Sequence, residues 1–206
     1  SELPGDQLIG ARRYRIYGNY VRSEDDETTV RLATIFFVDM TEMFNVRDEF
    51  LRTRPITAVI LIDNYDELMS NLPDSTISKL DAQINEAVSG WVTGLHALCR
   101  KMERNRYLLL FESKDLSRLQ EGKFSILDAI RAVVNPAGVN ATISLGIGKD
   151  GSSFEENYSF ANLSIEMALS RGGDQAVIKD RYNFAFYGGR TKETERRTRV
   201  KSRVVA

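Results

Sequence analysis

Ile56 to Met69, ITAVILIDNYDELM, decides how the rest of the chain reads. It opens with an apolar, β-branched run from Ile56 to Ile62 broken only by Thr57, then turns polar at Asp63-Asn64. A run of that length and composition reads as a strand buried on both faces. The Asp-Asn that ends it supplies acceptors for the free amides of a helix, so the strand is expected to feed a helix directly. Asp63 thus has two readings, a helix cap or a residual metal or nucleotide ligand at the carboxyl end of a central strand.

Upstream, residues 12–21 and 29–38 carry the β-formers of an antiparallel hairpin around the acidic stretch 23–27. Asp39 or Thr41 then caps a helix to about Thr53 with Met40, Met43, Phe44, Val46 and Phe50 on its apolar side. A hairpin and one helix are too small to bury a core alone, so this piece needs a covering partner. Ser1 to Gly5 reads as a cut inside a longer protein.

Downstream, a short helix is expected over 64–71. A long helix follows from Asp74 or Ser75 to near Leu98, with a stripe at Ile77, Leu80, Ile84, Val88, Trp91, Leu95 and Leu98. Residues 98–103 and 106–112 form a hairpin turning at Arg104-Asn105, with Cys99 expected in the core. A linker containing Lys114, Asp115 and Arg118 leads to a helix over Ser125 to Val134. Ala141 to Ile147 is a strand, and Ser153 caps a helix stopped by Gly172-Gly173. Gln175–Ile178 and Asn183–Tyr187 are the last strand pair. From residue 56 the order is α+β, a mixed sheet flanked by helices in a palm-like relative of the ferredoxin arrangement.

Composition narrows the function. The 206 residues carry a formal net charge of −1, which gives no electrostatic case for nucleic acid or membrane. One cysteine excludes an internal disulfide, and one histidine, His96, excludes a His-rich metal site. His96 reads as exposed or capping. The basic stretch 189–206 lacks interleaved aromatics and reads as an exposed connector. Gly146 and Gly148, at the end of a late strand, fit close packing better than a phosphate loop.

Four strings carry a resemblance: Ile62-Asp63-Asn64-Tyr65-Asp66-Glu67-Leu68, Arg171-Gly172-Gly173-Asp174-Gln175, Phe186-Tyr187-Gly188-Gly189 and Arg196-Arg197-Thr198-Arg199-Val200. Together with the element order they resemble a GGDEF domain, the diguanylate cyclase fold, and specifically the degenerate version in membrane-bound cyclic di-AMP phosphodiesterases of the GdpP type. The resemblance implies residues 1–39 as the C-terminal part of a PAS domain, 40–54 as a connecting helix, 55–188 as a degenerate GGDEF domain and 189–206 as a basic linker toward a DHH/DHHA1 phosphodiesterase domain. It implies a homodimer held on the cytoplasmic side of the cell membrane by anchors outside this chain, the fragment itself being soluble. Haem, where such proteins bind it, belongs to the PAS domain and is not expected here.

By the same resemblance, the groups a cyclase needs for a metal-bound triphosphate are largely replaced. The first metal Asp falls on Leu61, and the signature hairpin on Glu103-Arg104-Asn105-Arg106-Tyr107, which puts a neutral amide, Asn105, at the acidic metal position. The guanine-contacting Asn falls on Met69, and the phosphate-binding cations fall on Asp66, Ser170 and Asp174. Gly172-Gly173-Asp174 spells part of the family name but follows a helix and reads as its stop. What remains is Asp63 for metal and Asp63, Asn64, Glu103 and Asn105 for a nucleotide. The expectation is a regulatory module between PAS sensor and phosphodiesterase, not a cyclase, with at most weak ATP hydrolysis with Mg²⁺. The alternative is a structural, dimerising module that binds no nucleotide.

Overall fold

The computed structural model describes residues 5–22 and 31–188; the acidic stretch 23–27 and the basic stretch 189–206 lie outside them. The chain divides into two compact units, Ser1–Arg52 and Thr53–Ala206.

In the first unit, β1 (Asp6–Ile9), β2 (Arg12–Arg22) and β3 (Arg31–Asp39) form an antiparallel sheet in that order. β1 was not anticipated: its four residues are short and wholly exposed, and Arg15 holds Asp6 through a 2.6 Å hydrogen bond. Asp39 accepts both the backbone N–H and the hydroxyl of Thr41, at 2.9 and 2.6 Å, where α1 (Thr41–Thr53) begins. Of the apolar residues of α1, Phe44 is buried beneath the Arg13 guanidinium, while Met43 and Val46 are 47% and 64% exposed.

The second unit is a six-stranded sheet in the order β5-β6-β4-β7-β8-β9. Its strands are β4 (Pro55–Ile62), β5 (Ala97–Glu103), β6 (Arg106–Glu112), β7 (Ile143–Gly148), β8 (Gln175–Lys179) and β9 (Phe184–Gly188). Only β7 and β8 run parallel. β4 lies in the middle, antiparallel to β6 on one side and β7 on the other. Ile56, Ala58, Ile60 and Ile62 face the larger core, with Leu80, Ile84 and Val88 of α3 (Asp74–Val92) and Ile126, Leu127 and Ile130 of α5 (Ile126–Arg131). Val59 points the other way, onto Ala161 and Ile165 of α6 (Phe154–Ser170). The continuous apolar run is therefore the consequence of burial on both faces.

Helix α6 lies so close to β7 that a Cβ at Gly148 would sit 1.9 Å from the Asn157 carbonyl oxygen, and one at Gly146 2.2 Å from that of Ala161. These glycines serve close packing. Ser153 caps α6 by accepting the Glu156 N–H at 3.1 Å.

Four local expectations change. The stretch expected to be a linker after β6 is a helix, α4 (Ser113–Glu121), which buries Leu116, Leu119 and Asp115. The long helix stops at Val92, where Gly94 takes φ +131°, and Leu98 sits 75% exposed on β5 rather than on the helical stripe. The helix expected over 125–134 is the shorter α5, because its chain turns at Ala132 toward the Val134–Asn140 bridge. Cys99 is exposed, since among the described residues β5 is an edge strand with only β6 beside it. His96 is 62% exposed, and its Nδ1 lies 3.2 Å from the buried carboxylate of Asp115.

Candidate functional site

The carboxyl end of β4 gathers four segments. On one side the β5–β6 hairpin turns at Arg104-Asn105, and the Asn105 carbonyl accepts the Ile62 N–H at 2.8 Å. On the other, the Asp63 N–H donates to the Thr142 carbonyl at 2.9 Å, just before β7. α2 (Tyr65–Met69) begins directly after, and the turn between α6 and β8 closes over the end.

Asp63 does not cap α2, the reading its local sequence favours. The N-cap position is Asn64, and its side chain makes no cap hydrogen bond. The Asp63 carboxylate instead reaches across the sheet, where Oδ2 accepts the backbone N–H of Asp174 at 2.9 Å. The turn that delivers this amide is Gly172-Gly173-Asp174, with φ of +97°, +72° and +55°. Gly173 is required twice over: its backbone is left-handed, and a Cβ would sit 2.7 Å from Asp63 Oδ2. Thus the helix stop read from the sequence is also what lets the turn approach β4.

Asn64 is engaged as fully. Its Nδ2 donates to the Asn140 carbonyl at 2.9 Å, and its Oδ1 accepts the Thr142 N–H at 3.1 Å. Asn140 in turn donates from Nδ2 to the Arg131 carbonyl at 2.8 Å. The Arg131 Nε donates to both carboxylate oxygens of Asp174 at 2.8 Å, and its Nη2 to the Asp174 carbonyl at 3.2 Å. The contacts close on themselves: Asp63, Asp174, Arg131, Asn140 and Asn64 form a ring, completed by the peptide bond between Asp63 and Asn64.

The electrostatics follow from this closure. Burial is the largest influence on Asp63 and pushes its carboxyl above the ordinary 3.8; the Asp174 N–H and Ser144 oppose the rise, and the Asp174 carboxylate adds to it. Oδ1 of Asp63 is buried with no hydrogen-bond partner, and the fully buried Ser144 hydroxyl beside it stops short of bonding geometry. At Arg131 burial works against the charge but the two carboxylates outweigh it, Asp174 first and then Asp128, whose Oδ1 is 2.5 Å from Nη1.

Of the four residues expected to contact a nucleotide, Asp63 and Asn64 are drawn into the ring, and Asn105 touches the end of β4 through its backbone. Glu103 is exposed on the hairpin, paired in register with Arg106, and the group that reaches Asp63 is Asp174. Arg131 and Asn140 were not anticipated. They lie 43 and 34 positions before Asp174, and nothing local in the sequence marks them as its neighbours.

The donor set does not fit Mg²⁺ carrying a triphosphate. Mg²⁺ is held by carboxylates in octahedral geometry. Here one Asp63 oxygen already accepts a backbone amide, the Asp174 carboxylate is held by Arg131, and Leu61 and Asn105 offer no carboxylate. Among the described residues no cluster of three or more His, Cys, Asp or Glu could hold a metal.

Comparison with known proteins agrees with the topology. Residues 60–186 match the family model described as cyclic-di-AMP phosphodiesterase GdpP-like, GGDEF domain. The chain is 34% identical over 173 residues to the cyclic-di-AMP phosphodiesterase GdpP of Bacillus subtilis, covering 84% of this chain and 26% of that protein. It is 33% identical over the same length to the cyclic-di-AMP phosphodiesterase PdeA of Listeria monocytogenes, with the same coverage. The chain thus spans about a quarter of the length of these relatives. Among solved structures, the FimX GGDEF domain of Pseudomonas aeruginosa superposes with a TM-score of 0.52 at 18% identity, covering 77% of this chain and all of that one. The active GGEEF domain of a Vibrio cholerae diguanylate cyclase gives 0.53 at 12% identity, covering 65% and 88%. At such identities these two matches speak for the fold alone.

Proposed function

Because the chain belongs to the GGDEF domain family of GdpP-like cyclic-di-AMP phosphodiesterases, we propose that it is a regulatory module of such an enzyme and not a diguanylate cyclase. The observation that carries this reading is the bond from the Asp174 N–H to Asp63, with Arg131 bound to the Asp174 carboxylate. A cyclase works by positioning and neutralising a triphosphate. Here the Asp63 carboxylate and the Arg131 guanidinium are both engaged by the same residue of the protein, Asp174. A ligand would have to break several charge-assisted hydrogen bonds to enter.

In this reading, residues 1–39 close a PAS domain, α1 connects it to the degenerate GGDEF domain, and residues 189–206 lead to a DHH/DHHA1 domain that carries the cyclic di-AMP hydrolysis. The parent is anchored in the membrane, and no helix among the described residues is long and apolar enough to cross a bilayer. The module works as a homodimer, which the exposed Met43 and Val46 of α1 favour. That same feature supports the second reading, a purely dimerising connector that binds no nucleotide.

Turnover assays on the 206-residue chain test the proposal. With Mg²⁺ and GTP, no cyclic dinucleotide should form; its appearance would overturn the reading. With Mg²⁺ and ATP, slow phosphate release abolished by Asp63→Asn would bear out the weak ATP hydrolysis that the family resemblance implies, and its absence would favour the connector.

A further inference from the structure

The ring also touches β9, the last strand of the sheet in chain order. β9 pairs with β8 so that Gly188 stands opposite Gln175, the residue after Asp174. Gly188 has φ +75°, and a Cβ there would meet Leu127 Cδ1 at 2.6 Å, Gln175 Cα at 3.8 Å and the Asp174 carbonyl oxygen at 3.9 Å. That carbonyl is the one that accepts Nη2 of Arg131. Leu127 and Arg131 are four residues apart on α5, and so share one face of the helix. One turn of α5 therefore presents Leu127 to Gly188 and Arg131 to Asp174.

We propose that the ring and β9 are one mechanical unit, in which the Asp174–Arg131 contact at the end of β4 fixes the left-handed turn at Gly188 and its opening releases residues 184–188. This rests on the regulatory reading and names the device by which such a module would report its state to residues 189–206. The turn at Asp174 depends on the contacts that hold it. Asp174 is a non-glycine residue in the left-handed region, a conformation held where surrounding contacts over-determine it. Four of those contacts come from Asp63 and Arg131. Loss of the Arg131 fork frees the 172–174 turn, and β8 then loses the anchor that sets Gly188 against Leu127. Among the described residues β9 is an edge strand, and no further strand holds it.

Hydrogen exchange read by mass spectrometry on the 206-residue chain tests this, comparing the wild type with Asp174→Asn. Asparagine keeps the shape and tolerates the same backbone, but removes the charge that Arg131 binds. The expected result is exchange at least about five-fold faster in both 171–176 and 184–188, with 55–62 of β4 unchanged as the control for an intact core. Should Asp174→Asn loosen β4 as well, Arg131→Lys, which keeps the charge but not the fork, supplies the same comparison. Faster exchange in 171–176 with 184–188 at the wild-type rate would overturn the proposal, and so would no change in either segment. Either failure leaves the regulatory reading standing, since the turnover assays test that separately.

Discussion

The Asp63 carboxylate and the Asp174 backbone are joined at 2.9 Å across 111 residues of sequence, and that bond closes the carboxyl end of the central strand. An acceptor that would otherwise stand ready for a cation is spent on holding a turn of the protein. Its second oxygen is buried without a partner among the described residues, so the desolvation cost of the charged form is only partly offset by the Asp174 N–H and Ser144.

The first prediction concerns pH. Burial raises the Asp63 carboxyl above its ordinary 3.8. A carboxyl whose folded value lies above its unfolded one contributes stability that is fully present below the unfolded value and lost as pH rises through the folded one. Asp63→Asn keeps an acceptor for the Asp174 N–H and has no charge to desolvate. The stability of the wild type relative to this variant should therefore fall on going from pH 4 to pH 7. Urea denaturation of both proteins at several pH values checks the sign; a difference that grows in favour of the wild type with rising pH would refute it.

Asn64 is predicted to matter through its two-sided amide. Asn64→Ala removes the donor to the Asn140 carbonyl and the acceptor for the Thr142 N–H. Because these groups are partly exposed, the expected loss is about 1–2 kcal/mol of unfolding free energy. Asn64→Asp should cost more, since it removes the donor and sets a second carboxylate beside Asp63. Equilibrium denaturation separates the two.

A pair of glycine substitutions tests the close approach of α6 to β7. Gly148→Ala would place a methyl 1.9 Å from the Asn157 carbonyl oxygen, and α6 must shift to admit it. The expected cost is about 3 kcal/mol. Gly90→Ala, within α3 and with nothing within 4 Å of the new methyl, should stabilise by about 0.5–1 kcal/mol because it limits the unfolded chain. Melting temperatures moving in opposite directions are the readout.

Much of this fold was legible in the sequence because its strongest signals are local. β4 declared itself through an apolar run broken only by Thr57, and α3 through apolar residues at steps of four, Leu80, Ile84 and Val88. α4 was missed because it buries only Leu116, Leu119 and a carboxylate, Asp115, whose residue type normally marks a surface. Leu98 was assigned to the helical stripe because its spacing fits, although the left-handed Gly94 ends the helix before it. The site was legible in part. The family resemblance pointed to the end of β4 and to Asp174, but the local pattern around Asp63 suggested a helix cap. The contact that forms instead links residues that only the folded sheet brings together, and Arg131 enters by the same long-range route.

Titration of the 206-residue chain with ATP, and separately with GTP, in the presence of Mg²⁺ by calorimetry tests the central claim most directly, that the end of β4 is closed by the protein itself. A closed ring predicts no binding heat and no thermal shift up to millimolar nucleotide. Micromolar binding of either nucleotide, lost on Asp63→Asn with the fold intact, would contradict it and show that the site still reads a phosphate-bearing ligand.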